Sequence, residues 1–385
     1  MEPPSSETNA GCARSLTVLR AMIDSVDREL LRLLARRFSL IGEVAEYKRD
    51  NRVPIRDFQR EREILEDRRH RATPLGLSPE LVESAFRLIM WASRDLQATL
   101  KAEVPIDIEP RTVAVIGGKG SMGHCMAEMF ADQGHAVMVA DLDTQLTPQE
   151  AAATADVVVI SVPIDATVDV IRQLGPLVRA DALLMDVTSI KAAPVAAMLE
   201  ASSAEVVGTH PLFGPSVHSL QGQRVVLCPA RGDAWADWLR QAFRARGLVM
   251  METTPEEHDH AMAVVQVLVH FSTEVLGRTL TKLDVSIEKT LAFTSPIYLM
   301  ELLMSARHFA QSPDLYAAIQ MSNPETPAVT KAFVAAAEEL REIADGKDHE
   351  AFHRMFEEVG KTFGSFTDQA LEQSSFLIDR LVERT

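Results

Sequence analysis

Between Ser15 and about Arg49 the chain has no proline and a single glycine. Apolar residues fall at Leu16, Leu19, Ile23, Val26, Leu30 and Leu33, the 3-4-3-4 spacing of a packed helical stripe. At about 1.5 Å per residue such a helix is roughly 50 Å long, more than a small domain can bury alone. Partner helices are therefore required. Asn51 to Pro54 breaks the pattern, a second helix is expected from about Asp57 to Arg71, and Ala72 to Gly76 reads as a loop. Ser78-Pro79-Glu80 starts a third helix with a serine cap and a first-turn proline, running to about Lys101. One very long member among three helices points to an intertwined dimer.

The pattern changes after a linker at 102–111, which contains Pro105 and Pro110. Short apolar strands are expected at Val113–Ile116, Ala136–Ala140, Val157–Ser161, Leu183–Val187, Val206–Val207, Val225–Leu227 and Leu248–Met251. They alternate with helices, which predicts a Rossmann-like, doubly wound parallel sheet covered on both faces over 112–253. From Thr254 no strand pattern recurs. His258 to Thr281, Val285 to Ser312 and Thr326 to Arg384 read as helices, an all-helical domain over 254–385. No internal repeat is present. The fold class is thus α/β plus all-α, with 14–101 as a helical N-terminal domain and residues 1–13 as a disordered tail.

A length of 385 residues agrees with two or three domains. The net charge of −16 argues against nucleic acid and anionic membranes as partners. Arginines nevertheless crowd residues 14–71, which suggests a small anionic ligand for that segment. Cys12, Cys125 and Cys228 are too few and too scattered for a disulfide framework or a zinc site, so no metal and a reducing cytoplasm are expected. The N-terminus lacks the basic start and apolar run of a signal peptide, and no stretch of roughly 18 uncharged apolar residues offers a membrane span.

Val113-Ala114-Val115-Ile116 leads into Gly117-Gly118-Lys119-Gly120-Ser121-Met122-Gly123 and then a helix. A bare GxGxxG is weak, but strand–glycines–helix is the context of a dinucleotide site. Gly118 is expected to make the tight turn, Gly120 to admit pyrophosphate, and Gly123 to allow close packing. Ser121 and Met122 would stand at the helix N-terminus, facing the phosphates. Asp141, 18 residues beyond Gly123, ends the second strand. It can accept ribose hydroxyls and repel a 2′-phosphate, which favours NAD. A glycine turn in a non-binding domain is the competing explanation, and the acid at that distance weighs against it. Ser161-Val162-Pro163-Ile164 and Asp186-Val187-Thr188-Ser189-Ile190-Lys191 follow later strands, where open α/β sheets place ligand loops. So does Gly208-Thr209-His210-Pro211-Leu212-Phe213-Gly214-Pro215. Ser161 and Pro163 are cofactor-binding candidates. His210, in a strand-end loop, stands above the other histidines as a group for chemistry.

GGKGSMG, SVPI, DVTSIK and THPLFGP, in this order, resemble the prephenate dehydrogenases, as does SPIYLMELLMSARHFAQSPDLY from Ser295. The resemblance covers 112 to about 375 and is to the bacterial T-protein type, in which a chorismate mutase precedes the dehydrogenase. It implies oxidative decarboxylation of prephenate to 4-hydroxyphenylpyruvate with NAD. His210 matches the proton-accepting histidine, and Ser189 a serine that orients it and the nicotinamide. Lys191 lies near the same pocket, Arg307 matches a carboxylate-binding arginine, and Gln266 and His270 match pocket-lining positions. Without the resemblance, Arg307 would read as a solvated helix residue. Leu299, Val269 and Ser216 depart from the family pattern and bear on substrate preference and feedback control, with tyrosine a candidate inhibitor.

Residues 14–100 resemble the all-helical chorismate mutases. Chorismate rearrangement needs no cofactor or proton transfer, only a compact substrate shape and cations beside the breaking ether bond. Matching positions are Arg20, Arg37, Lys48, Asp57, Arg60, Glu61, Ser93 and Gln97. Arg37 and Lys48 are 11 residues apart and share a helix face. Arg20 is rotated about 100° from Arg37; the resemblance gives it to the active site of the other protomer, and this geometry agrees. The resemblance gives Lys48 and Gln97 the ether oxygen, Arg37 and Arg60 the carboxylates, and Glu61 the substrate hydroxyl. Chorismate and prephenate are thus the expected small-molecule partners of a cytoplasmic homodimer in tyrosine biosynthesis. The same chemistry on 4-amino-4-deoxychorismate and its prephenate counterpart, or on arogenate, remains open, as does a non-catalytic nucleotide-binding regulator.

Overall fold

The computed structural model describes residues 14–51, 53, 57–99, 109–217 and 219–382. The expected tail at 1–13 and most of the expected linker lie outside them. Two compact units are distinguished. One holds 1–109 with 218–223 and 242–248; the other holds 110–217, 224–241 and 249–385.

The first unit contains α1 (Leu16–Asn51), α2 (Phe58–Ala72) and α3 (Pro79–Thr99), close to the expected bounds. The Oδ1 of Asp57 caps α2 by accepting the Arg60 amide at 2.9 Å. Gly76, at φ 72, ends the short 3-10 turn after α2, a left-handed position that suits glycine. α3 packs against both α1 and α2. Few apolar side chains of these three helices are buried among the described residues: Ala45, Leu65, Ala72 and Met90. The stripe from Leu16 to Leu33 stays 41–62% exposed on one chain. A surface that apolar on a single helix has the character of an interface.

The second unit is built on a seven-stranded sheet of order β2-β1-β3-β4-β5-β6-β7. Its strands are β1 (Thr112–Ile116), β2 (Ala136–Ala140), β3 (Val157–Ile160), β4 (Leu183–Asp186), β5 (Glu205–Pro211), β6 (Arg224–Arg231) and β7 (Val249–Glu252). The intervening helices are α4 (Ser121–Asp132), α5 (Pro148–Thr154), α6 (Ile164–Leu174), α7 (Ala192–Ala201) and α8 (Ala234–Ala245). β1, β3, β4 and β5 are buried almost throughout, as expected of strands covered on both faces. Two expectations are corrected. The sheet is not wholly parallel, because β6 runs antiparallel to β5. The chain between them forms no helix among the described residues to carry a crossover. His210 also lies inside the end of β5, not in a following loop, because pairing with Val226 extends the strand past it.

Beyond the sheet come α9 (Pro255–Met262), a π-helical turn (Ala263–Leu268) and α10 (Val269–Lys282), which together form one continuous rod. The rod is long and apolar enough to meet the composition of a membrane span, but His258 and Gln266 on it are engaged with the sheet domain. Then follow α11 (Ile287–Leu291), α12 (Pro296–Phe309), α13 (Pro313–Ser322), α14 (Thr326–Asp345), α15 (His349–Phe363) and α16 (Phe366–Val382). Ala318 and Ile319 of α13 pack on Ile164 and Ile190, seating the helices over the strand-end loops that begin α6 and α7.

The glycine loop departs from expectation at one residue. Gly117, not Gly118, makes the tight turn, at φ 79, with its α-hydrogen side against the Ser161 carbonyl. Gly118 instead permits contact with Val139, where a Cβ would lie 2.8 Å from Cγ1. A Cβ on Gly123 would meet Gly118 Cα at 2.8 Å and the Gly117 carbonyl closer still. Gly123→Ala is therefore expected to cost about 1–3 kcal/mol of stability by overpacking and to weaken NAD binding by opening the turn. Calorimetry and NAD titration check this; an unchanged NAD affinity would contradict it.

Candidate active site

The cofactor cradle is shaped by backbone. Gly120 is the N-cap of α4 and offers no side-chain cap, so the first amides of that helix face the loop without a side-chain acceptor. An uncapped N-terminus of this kind binds anions, as pyrophosphate requires. Ser121 and Met122 supply its first turn. Asp141 follows directly on β2, with its carboxylate fixed by two amides, Lys119 N to Oδ2 at 3.1 Å and Leu142 N to Oδ1 at 2.8 Å. Ser161 and Pro163 lie just past β3, and the Ser161 amide donates to the Ile116 carbonyl at 2.8 Å. The residues present therefore fit a dinucleotide. Three strand steps, about 14 Å at ~4.8 Å each, separate β1 from β5 and His210.

His210 is 3% exposed, and its Nδ1 lies 2.9 Å from Nε2 of His258. His258 Nδ1 lies 2.8 Å from Oδ1 of Asp259. Asp259 also accepts the backbone amides of Lys191 at 2.7 Å and Ala192 at 2.9 Å. These contacts fix the tautomers. A carboxylate only accepts, so His258 donates from Nδ1, and in its neutral form its Nε2 is bare. His210 must then donate from Nδ1, which leaves its own Nε2 with a lone pair. That Nε2 faces the Gln266 side-chain amide nitrogen at 3.4 Å. Burial pushes the His210 pKa well below 6.5, and positive charge on His258 or Lys191 acts in the same direction. Burial raises the Asp259 carboxyl, but the His258 bond and the two amides outweigh it and hold it below the usual range.

The π-turn makes this meeting possible. His258 and Gln266 are eight residues apart, which in an unbroken α-helix leaves them about 80° apart around the axis. The wider i→i+5 turn at Ala263–Leu268 absorbs that difference, and both side chains reach His210. One turn further, His270 packs edge-on to Tyr316 at 4.8 Å, and His308 lies against the same ring at 3.8 Å. The His270 Nδ1 is buried with no partner. Burial lowers its pKa, positive charge on His308 adds to this, and Glu274 opposes. Arg307 is exposed on α12, near enough for its charge to oppose the burial that raises the Tyr316 phenol.

Two expected roles are not met. No hydrogen bond links Ser189 to His210; His258 holds the imidazole instead. Lys191 does not line the pocket. It is fully buried, its ammonium paired with Asp186 and 3.4 Å from Thr188 Oγ1. Thr188 draws the DVTSIK loop inward by donating to Asp186, and Lys191 at the end of that loop is buried. Gly208 makes room for it, since a Cβ there would lie 3.2 Å from Lys191 Cδ. Sequence reasoning missed Gly117, Asp186, His258 and Asp259; the adjacent His258-Asp259 pair opening the helical domain was the available signal.

In the helical unit, Arg37 donates to Ser93 Oγ, which donates to the Ile89 carbonyl at 2.6 Å. Gln97 is buried, its Nε2 donating to the Ser93 carbonyl at 3.1 Å and its Oε1 without a partner. Burial lowers the Lys48 pKa while the Asp57 and Glu61 carboxylates raise it, so these three lie within electrostatic reach. Burial lowers Arg37 as well, and the Arg68 charge adds to this. Arg94, unanticipated from the sequence, pairs with Glu61. Arg60 is exposed and reaches Glu63 at 3.4 Å. Arg20 is exposed and joins none of these residues by a hydrogen bond or ion pair among the described residues.

If His258 sets the His210 tautomer, His258→Ala should lower NADH formation from prephenate by about a hundredfold with NAD affinity unchanged. Steady-state kinetics beside NAD titration decide this, and a loss under twofold would exclude the relay.

Family descriptions match along most of the chain. Chorismate mutase type II matches residues 19–98. The prephenate dehydrogenase nucleotide-binding domain matches 126–252, and its dimerization domain matches 254–358. The T-protein of Haemophilus influenzae is 34% identical over 368 residues, covering 95% of this chain and 97% of that protein. The T-protein of Enterobacter agglomerans is 38% identical over 363 residues, 94% and 97% of the two chains. Among solved structures, Aquifex aeolicus prephenate dehydrogenase in complex with hydroxyphenyl propionate and NAD+ superposes with a TM-score of 0.53. It is 20% identical and covers 67% of this chain and 99% of that one. The fold, the cradle and both long relatives agree: the chain belongs to the T-protein family, a type II chorismate mutase joined to an NAD-dependent prephenate dehydrogenase.

Proposed function

We propose that the chain rearranges chorismate to prephenate in its helical unit and oxidises prephenate to 4-hydroxyphenylpyruvate at His210, as a bifunctional enzyme of tyrosine biosynthesis. The observation that carries the second step is the His210–His258–Asp259 chain at the strand ends of a dinucleotide fold, which supports the His210 Nε2 as the proton acceptor. Bound NAD supplies the hydride acceptor. The ring C4 hydroxyl gives its proton to His210 Nε2 as the C4 hydride leaves, and a carbonyl forms at C4. The C1–carboxylate bond then breaks, CO2 departs, and its electron pair enters the ring. The resulting aromatic phenolate recovers the proton from His210. Atoms and charge balance with one NADH and one CO2 formed. Gln266 and His270 line the substrate side of the rod, and Arg307 offers a planar fork to a substrate carboxylate. Gly118, Gly120, Ser121, Met122, Gly123, Asp141, Ser161 and Pro163 hold the cofactor, and Asp141 sets the preference for NAD by repelling a 2′-phosphate.

Chorismate rearrangement calls on fixed cations alone. Arg37 and Arg60 grip carboxylates, Lys48 and Gln97 face the ether oxygen, and Glu61 takes the hydroxyl, with Asp57 holding the start of α2 and Ser93 holding Arg37. Arg20 serves a second protomer, and the exposed stripe of α1 supplies the contact. The working state is a cytoplasmic homodimer, and tyrosine is the candidate feedback ligand.

His210→Asn is expected to abolish NADH formation and leave chorismate consumption near wild type; equal loss of both in a folded variant would sink the two-site reading. In the wild type, His210 must be neutral to accept the proton. Because its pKa is depressed, dehydrogenase kcat should stay flat as pH falls through 6.5 and decline only at lower pH. A decline centred at or above pH 6.5 would refute the depressed histidine. Light scattering should give twice the chain mass, and a monomer would refute the dimer.

A further inference from the structure

Arg94 and Glu61 form an ion pair that neither reaction yet uses. Arg94 follows Ser93 on α3 and precedes Gln97 by three residues, while Glu61 lies in the first turn of α2 beside Arg60. Nη1 of Arg94 donates to Oε1 of Glu61. Their side chains are 19% and 21% exposed. By contrast, Arg60–Glu63, Arg71–Asp67 and Arg87–Glu83 each join residues of one helix and keep an arginine more than half exposed. Arg94–Glu61 instead bridges two helices and is withdrawn from water, where a charge-assisted bond fixes geometry more firmly than at the surface.

The chemistry of the site gives this pair a purpose. The substrate proposed for the helical unit is a dicarboxylate, and a carboxylate among its ligands repels it. Glu61 can contact a substrate hydroxyl at acceptable cost only if its own charge is offset and its rotamer held. We propose that Arg94 is a positioning residue of the mutase site: it holds the Glu61 carboxylate in place and cancels its repulsion of the dianionic substrate. This rests on the mutase role proposed for Glu61.

The test uses the full-length protein and chorismate. Arg94→Ala should raise the chorismate KM about tenfold, the scale of one lost charge-assisted contact. Its kcat should stay within about threefold of wild type, since Arg94 stays off the breaking bond, and its dehydrogenase activity should be unchanged. Arg94→Lys should recover part of the KM, because the charge returns without the planar fork. In a Glu61→Gln background, Arg94→Ala should change KM by less than about twofold, since the charge to be offset is gone. An unchanged KM in Arg94→Ala, or an equal rise in both backgrounds, overturns the proposal while leaving the mutase reading intact. Absence of chorismate turnover in the wild type overturns that reading and the proposal together. Should Arg94→Ala fail to fold, Arg94→Gln carries the same expectations.

Discussion

The Asp259 carboxylate is the knot of the second unit. It accepts two successive amides at the start of α7 and the Nδ1 proton of His258. The first two bonds tie the rod to the sheet domain at a strand-end loop. The third orients the imidazole that in turn orients His210. One carboxylate therefore sets both the seat of the helical region and the basicity of the reactive nitrogen. Asn323 secures it from behind by donating to the Asp259 carbonyl at 2.8 Å. A low-dielectric setting strengthens each of these bonds and makes the loss of any partner expensive.

The buried Lys191–Asp186 pair belongs to the same logic. Removing one partner of such a pair costs about 3–5 kcal/mol, because an uncompensated charge is left in the core. The pair fixes the loop whose next amide meets Asp259, and its cation adds to the burial that lowers the His210 pKa. The Thr209 hydroxyl, donating to the Asp186 carbonyl, ties β5 to the same point. Stability and reactivity here are one arrangement.

Much of this was legible in the sequence, for identifiable reasons. Proline and serine at Ser78-Pro79 mark the start of α3, and short β-branched runs mark β1 and β3. The direction of β6 was not legible, since a strand's residues look the same whichever way it runs. Nor could pattern distinguish Gly117 from Gly118, adjacent glycines of which one turns the chain and the other clears Val139. Assigning Lys191 to the pocket failed because its burial depends on Thr188 pulling the loop inward and on Gly208 making room. His258 and Asp259 read only as the start of a helix. Their role depends on a contact across 48 residues and on a π-turn with no sequence signature.

The two sites solve opposite electrostatic problems. The helical unit needs cations that stay charged, and burial of Lys48 works against this by lowering its pKa. Asp57 and Glu61 push the other way and offset part of that loss. The dehydrogenase needs a base that stays neutral, and burial of His210 favours this directly, with neighbouring positive charge reinforcing it. Desolvation is thus a liability in one unit and the working principle of the other. That difference explains why acids cluster with the mutase lysine, while the Asp259 carboxylate is kept one imidazole away from His210. A carboxylate in direct contact would raise the His210 pKa and fill the proton-accepting site; placed behind His258, it fixes the tautomer without doing so.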